Sequence, residues 1–392
     1  MKSIKLLSFL ALLLLAACST SDIRNITSIV RAKNPGEQAA KVLQQRGEYY
    51  AAHPEQLAAD IRAFKARLDA FRRGAGAVWG DENVQEPGPR DYVKYTDKYY
   101  NRAHIDFEAG TVTVETVAPR SQKDYLKKAI VTTLRTPDDP RKVDLYSDTA
   151  PAASGKPFLY NQVLDQDGKP VQWSWRANRY ADYLIKTKLE RVKIGKLDGL
   201  RVVFPLVAGS EKLRAYKYAA VVRKYSDKYR VTESLIYGII KTESDFNPFA
   251  VSPAPAYGLM QIIPATAGRD VYDKIKQRPG QPSPKELYDP DNNIDIGTAY
   301  LSILRNNYLT GIHDSNAMRY LMIASYNGGV GNALKTFNAD RYQAVNLINS
   351  LNSGQVYRKL TSSNPNVESR RYLDKVNTAQ KEFWSQNGSA GG

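Results

Sequence analysis

Apolar positions fall into three regimes along the chain. In the first, Leu57, Ile61, Phe64, Leu68 and Phe71 recur at spacings of 4, 3, 4 and 3. That is one face of an amphipathic helix, with Pro54 and Glu55 suited to its first turn and Gly74-Ala75-Gly76 expected to end it. The opposite face mixes acids and bases. A helix packed on a neighbouring domain therefore fits better than one lying on a membrane. In the second regime, from Trp79 to about Val207, the pattern is mixed. His104–Phe107 and Val112–Glu115 alternate apolar and polar around Glu108-Ala109-Gly110, a hairpin signal. Ser121–Leu134 and Asn178–Leu189 have helical spacing. Phe158–Trp175 reads as a second hairpin turning at Asp167-Gly168, and Leu200–Val207 as a short strand. The expectation is a small α+β domain of antiparallel strands with two helices. Trp79, Trp173 and Trp175 would serve it as core or rim packing, or, where exposed, as a surface for stacking on sugars.

From Glu211 the strand signals vanish, and helical periods dominate to about Trp384, so the third regime predicts an all-α domain. The predicted organisation is a leader over 1–17, a tether and helix over 18–78, the α+β domain over 79–210, the helical domain over 211–385 and a flexible tail over 386–392. Lys212–Arg230 reads as a helix with Tyr216, Ala220 and Tyr225 packed inward and its bases outward. The helix beginning at Thr232 carries the most information. Leu235, Ile236, Ile239 and Ile240 form its buried stripe, and one more step of four lands on Glu243. An acid on a greasy face breaks a local rule, and broken rules mark working sites. The alternative is an acid at a helix end, turned to solvent or to an arginine. A carboxyl in an apolar wall has a raised pKa, because desolvation penalises the anion, and such a group is suited to act as the general acid of glycosidic cleavage.

Composition narrows the chemistry. The 392 residues hold one cysteine, Cys18, and three scattered histidines, His53, His104 and His313, so thiolate metal clusters and intramolecular disulfides are excluded. Lys and Arg total 56 against 40 acids, a balance of +16 that suits an anionic partner. The amino terminus selects among such partners. Lys2 and Lys5 precede an apolar run from Leu6 to Ala17, which has the layout of a secretory signal. At about 12 residues, roughly 18 Å as helix, the run is too short for a hydrocarbon core of about 30 Å. Leu15-Ala16-Ala17-Cys18 resembles the bacterial lipobox, whose cysteine becomes the lipidated first residue, and several acyl chains anchor firmly. Loss of residues 1–17 removes two lysines and leaves 54 − 40 = +14. An exported chain of this charge is expected to meet cell-wall peptides and anionic lipid rather than nucleic acid. Ser19 stands where an inner-membrane lipoprotein commonly has aspartate, which favours the outer membrane and its periplasmic face.

Beyond Glu243-Ser244 come Asn247-Pro248, Ser252-Pro253 and Gly258-Leu259-Met260-Gln261. Ala324-Ser325-Tyr326-Asn327-Gly328-Gly329 and Glu368-Ser369-Arg370-Arg371-Tyr372 follow. Gly258 would allow a close backbone approach before a helical segment, Leu259–Ile263. Together these motifs, with intervals of nine from Glu243 to Ser252 and eighteen to Gln261, resemble the lytic transglycosylase family with a goose-type lysozyme-like fold. Asp91–Asp97 and Asp144–Asp148 resemble its membrane-bound C branch. Ser325, where the family commonly has Ala or Thr-Ala, is a mild departure.

The resemblance implies cleavage of peptidoglycan glycan strands without water, with Glu243 as acid and then base and a 1,6-anhydro product. It further implies that Ser252 and Gln261 orient the muramyl residue, that Tyr326 and Asn327 flank Glu243 and the acetamido group, and that Met260, Glu368 and Tyr372 line the cleft. No cofactor and no metal is called for. Asp289–Tyr300 starts like a calcium loop but has Ile294 and Tyr300 where Gly and Glu belong. A helix N-cap explains it better. Two other function classes stay open: a two-carboxylate hydrolase, although Asp245 is offset from the Glu243 face, and a non-catalytic wall-binding lipoprotein.

Overall fold

The computed structural model describes residues 54–387. The lipobox cysteine Cys18, the leader, the tether over 19–53 and the end of the tail lie outside them. The described residues form two compact units. One comprises residues 63–218 and 244–251; the other comprises 54–62, 219–243 and 252–387.

The first unit is built on a five-stranded antiparallel sheet. Its strands are β1 (Asp91–Thr96), β2 (Asn101–Asp106), β3 (Thr111–Thr116), β4 (Glu190–Ile194) and β5 (Leu197–Pro205), in spatial order β1-β2-β3-β5-β4. The β2–β3 hairpin forms where alternation predicted it. Asp106 Oδ1 accepts from Ala109 N at 2.7 Å, and Gly110 takes the positive φ of 67° that the turn needs. The helix α1 (Pro54–Trp79) runs past Gly74 and Gly76 instead of stopping there. Those glycines are packing positions: a Cβ on Gly74 would lie 2.6 Å from the Tyr99 ring. Leu68, Phe71, Ala75 and Trp79 of α1 pack with Val93 and Tyr95 of β1 and with Val117. Burying a side chain the size of Leu68 or Phe71 contributes about 1.5–3 kcal/mol. Trp79 is thus core, beneath the Arg102 guanidinium at 4.2 Å. Trp173 and Trp175 are exposed.

The helices α2 (Gln122–Leu134) and α3 (Ser174–Lys188) lie as expected, α2 against β2, β3 and β5, and α3 against β5 and α2. The second predicted hairpin is not a strand pair. Asp165 Oδ1 accepts from the backbone of Asp167 (3.0 Å) and Lys169 (2.9 Å), occupying donors that a ladder would need, and only a single bridge, Leu164 to Pro170, remains.

From Ser210 onward no strand occurs among the described residues. Two helices, α4 (Ser210–Lys217) and α5 (Ala219–Tyr229), replace the single one expected over 212–230. The break at Tyr218 shifts the helical phase. Tyr218 and Tyr225 turn inward, while Tyr216 and Ala220 are exposed. Then come α6 (Glu233–Ser244), α7 (Arg269–Lys274), α8 (Pro284–Leu287), α9 (Pro290–Ile303), α10 (Ser315–Gly328), α11 (Val330–Lys335), α12 (Arg341–Ser350), α13 (Ser353–Ser363) and α14 (Val367–Asn387). In the helical unit α9 is central, buried from Asn293 to Ile303 and packed on α5, α7 and α8. Asp289 caps it, accepting from the backbone of Asp291 and Asn292, as the N-cap reading of that stretch anticipates. The helices α10, α13 and α14 pack on one another. A sheet-bearing unit followed by a helical one is the fold class that the sequence predicts.

Candidate active site

The site residues expected from the sequence all belong to the helical unit. On α6, Leu235, Ile236, Ile239 and Ile240 are buried and Glu243, at the end of the same stripe, is half-buried. Gly238 lets α14 run close beside α6: a Cβ there would lie 3.0 Å from Gln380 Cγ and 3.1 Å from the Val376 carbonyl oxygen. One turn before Val376, Tyr372 is buried, and its hydroxyl donates to Glu243 Oε1 at 2.7 Å. Burial first, and the Glu243 charge next, push the Tyr372 phenol well above its ordinary pKa; the same two causes act on Tyr326. Both phenols therefore remain protonated donors near neutral pH. The Tyr326 hydroxyl donates to the Met260 carbonyl at 2.8 Å.

The segment Leu259–Ile263 is not helical. It is a tight reversal closed by Tyr257 N to Ile262 O (3.0 Å) and Ile262 N to Tyr257 O (3.1 Å), with Gln261 at φ 47°. The cause is Asn293, fully buried on α9. Its Oδ1 accepts from Met260 N, and its Nδ2 donates to the carbonyls of Tyr257 and Leu287, each at 2.8 Å. Gly258, at φ 73°, passes directly over Asn293, where no Cβ fits, so the expected close approach is realised. Met260 in turn lies against Gly297, whose missing Cβ its thioether occupies. Gln261 Nε2 donates to the Gly258 carbonyl at 2.9 Å, whereas its Oε1 is buried with no hydrogen bond. Ser252 is buried in a small turn, its N donating to Ala256 O (3.1 Å) and its Oγ accepting from Ala256 N (3.4 Å). Asn327 Oδ1 accepts from Ser369 Oγ at 2.8 Å, an approach that Gly328 permits. Glu368 opens α14, its N donating to Asn366 Oδ1 at 3.0 Å, and its charge also reaches Tyr372.

The structure thus joins Tyr372 to Glu243 and Tyr326 to Met260. Asn293, Gly238, Ser369 and Gly297 support them and were not singled out from the sequence. Asn293 sits four residues after the helix cap Asp289, where nothing in the local pattern sets it apart from an ordinary helix position. Gly238 interrupts the apolar run of α6, and a glycine inside a helix is the signal of close packing that was available.

Residues 57–217 match the family described as "Membrane-bound lytic murein transglycosylase C, N-terminal domain", and residues 220–349 the "Transglycosylase SLT domain". Membrane-bound lytic murein transglycosylase C of Photorhabdus laumondii is 49% identical over 330 residues, covering 84% of this chain and 92% of that one. Its Yersinia enterocolitica counterpart is 49% identical over 334 residues, with the same coverage. The chain belongs to the membrane-bound lytic murein transglycosylase C family. The protein is accordingly a lytic transglycosylase, an enzyme of the lyase type that cleaves glycans; Glu243 and Tyr326 lie within the matched SLT domain, and Tyr372 lies beyond its end. The 70 kDa soluble lytic transglycosylase of Escherichia coli aligns with a TM-score of 0.34 at 28% identity, over 44% of this chain and 24% of that one. Among the described residues no group of three or more His, Cys, Asp or Glu side chains is placed to hold a metal ion, and no helix is long and apolar enough to cross a membrane.

Proposed function

We propose that this transglycosylase cuts the β-1,4 bond between N-acetylmuramic acid and N-acetylglucosamine in peptidoglycan without water, with Glu243 acting first as acid and then as base. The observation that carries the reading is the 2.7 Å hydrogen bond from Tyr372 to Glu243 Oε1. It fixes the carboxyl on a helix end and stabilises the anion left once the proton has gone. Glu243 protonates the glycosidic oxygen, and the N-acetylglucosamine 4-hydroxyl departs. The electron deficiency at muramyl C1 is met by the C6 hydroxyl of the same sugar, whose proton passes to Glu243. The new C1–O6 bond gives a 1,6-anhydro end and restores the acid.

In this reading Ser252 and Gln261 orient the muramyl residue. The unmatched Gln261 Oε1 is suited to accept from a sugar hydroxyl or amide. Tyr326 and Asn327 flank the acetamido group, while Met260 and Glu368 line the cleft. A lipid anchor at Cys18 would hold the enzyme on the periplasmic face of the outer membrane for cell-wall remodelling, in keeping with relatives named membrane-bound. The tether, α+β domain and catalytic domain would then follow one another from that anchor.

Asp245, the acid nearest Glu243 in sequence, is committed to a buried ion pair with Arg214, which speaks against it as a second catalytic carboxylate. Glu368, whose charge also reaches Tyr372, is the specific observation in favour of a hydrolytic reading. Mass spectrometry of digested sacculi separates the two. Products one water lighter than those of a hydrolase are expected, and reducing muramic acid ends would overturn the proposal. Glu243→Gln should bind wall and stay folded with turnover abolished.

A further inference from the structure

The eight residues after Glu243, Ser244–Val251, lie in sequence inside the SLT domain yet belong to the sheet-bearing unit. All are buried. Their first peptide bond joins them to Glu243, so whatever fixes this segment fixes one end of the catalytic helix.

The segment starts with a costly backbone. Asp245 and Phe246 take φ 50° and φ 60°, consecutive left-handed conformations in residues that carry a Cβ. Such geometry persists only where the surroundings over-determine it. Arg214 on α4 supplies that determination. Its Nη2 donates to Asp245 Oδ2 at 2.7 Å and its Nε to the Asp245 carbonyl at 3.2 Å. Its Nη1 reaches Gln162 Oε1 at 3.2 Å and Ser210 Oγ at 3.4 Å, and its guanidinium lies 4.7 Å from the Phe107 ring centroid. The two charged side chains are 2% and 6% exposed. Further along, Asn247 Nδ2 donates to the Pro89 carbonyl at 3.2 Å. The Phe249 ring meets Tyr92 at 5.0 Å and Phe158 at 4.9 Å, both edge to face. That second anchor holds the far end independently, so losing Arg214 would relax the turn next to Glu243 without releasing the whole segment.

A buried ion pair is a poor source of stability, since desolvation of the two charges offsets most of their attraction. Its geometric service is specific: one guanidinium grips both the side chain and the carbonyl of the residue that begins the left-handed turn. We propose that Arg214, by gripping Asp245 two residues after Glu243 in the chain, is a positioning residue for Glu243. This rests on the assignment of Glu243 as the proton donor.

The test uses the full chain and soluble glycan strands. Arg214→Met combined with Asp245→Asn removes both charges, leaves neither buried alone and keeps at 245 a residue that tolerates the left-handed backbone; Arg214→Lys keeps the charge but cannot grip both oxygens. The double variant is expected to melt near the wild type, to hold KM within about twofold and to lose about ten- to a hundredfold in kcat, the range associated with a small misplacement of a reacting group. Arg214→Lys should fall between the two. An unchanged kcat in a folded double variant, or a loss confined to KM, overturns the proposal. Glu243→Gln is measured alongside: residual turnover there would refute the proton-donor assignment, whereas an inactive Glu243→Gln beside a fully active double variant would refute the positioning role alone.

Discussion

The Tyr372 hydroxyl donates to Glu243 Oε1 across 2.7 Å, joining the last turn of one helix to the second turn of another 129 residues away in the chain. This contact fixes the orientation of the carboxyl and places a neutral donor beside it at every pH near neutrality. Tyr372→Phe removes one oxygen and little volume. We expect it to fold normally and to lower kcat by about a hundred- to a thousandfold, the scale of losing one preorganised donor to a developing charge. Steady-state rates on soluble glycan, with a melting curve as the folding control, check this.

The contact depends on a glycine that touches neither residue. At Gly238 a Cβ would press on the Val376 carbonyl and Gln380 Cγ. The nearer neighbour is a flexible side chain, but the carbonyl cannot yield without moving α14. Gly238→Ala is therefore expected to destabilise by about 1–3 kcal/mol, despite the better helix propensity of alanine, and to lower kcat as Tyr372 moves away. Urea unfolding and rate measurements on the same preparation would show both losses together.

How far the sequence reveals this arrangement depends on where the determining force lies. The β2–β3 hairpin was readable because alternation and a turn residue act locally. β1 was not, because it is buried from Tyr92 to Thr96 and shows no alternation. β4 is a five-residue edge strand in which Val192 and Ile194 alternate with three charged residues, too short a pattern to stand out. Glycines misled at Gly74 and Gly76, where tertiary packing keeps a helix going through residues that usually end one. In the site, Glu243 stood out as an acid completing an apolar stripe, but the reversal at Leu259–Ile263 was invisible. A run of apolar residues reads as helix, and only Asn293, more than thirty residues on, makes it turn.

That dependence gives a further prediction. Asn293 is fully buried and serves one backbone donor and two backbone acceptors. Asn293→Ala leaves Met260 N without its acceptor in a dry interior. The cost is expected at about 2–4 kcal/mol, the sum of an orphaned donor and two lost hydrogen bonds. Met260 and Gln261 should lose their placement, so KM for glycan should rise as well. Equilibrium unfolding and substrate titration measure the two effects separately.

Asp270 offers a pH-dependent test away from Glu243 in sequence. Its side chain is fully buried on α7, accepting from the Tyr308 hydroxyl at 2.9 Å and 3.2 Å, with Lys274 Nζ at 3.9 Å. Burial pushes its pKa from 3.8 up to about 6, against the lowering effects of Tyr308 and Lys274. Between those two values the folded state binds more protons than the unfolded chain, so stability falls as pH rises through that window. Above about pH 6 the ionised carboxylate costs up to about 3 kcal/mol relative to acid conditions, at about 1.4 kcal/mol per pKa unit. Asn keeps an acceptor for Tyr308 and carries no charge. Asp270→Asn is expected to raise the melting temperature at about pH 7.5 and to change it little at about pH 4.5. Equal shifts at both values would show that folding does not raise the pKa of this carboxyl.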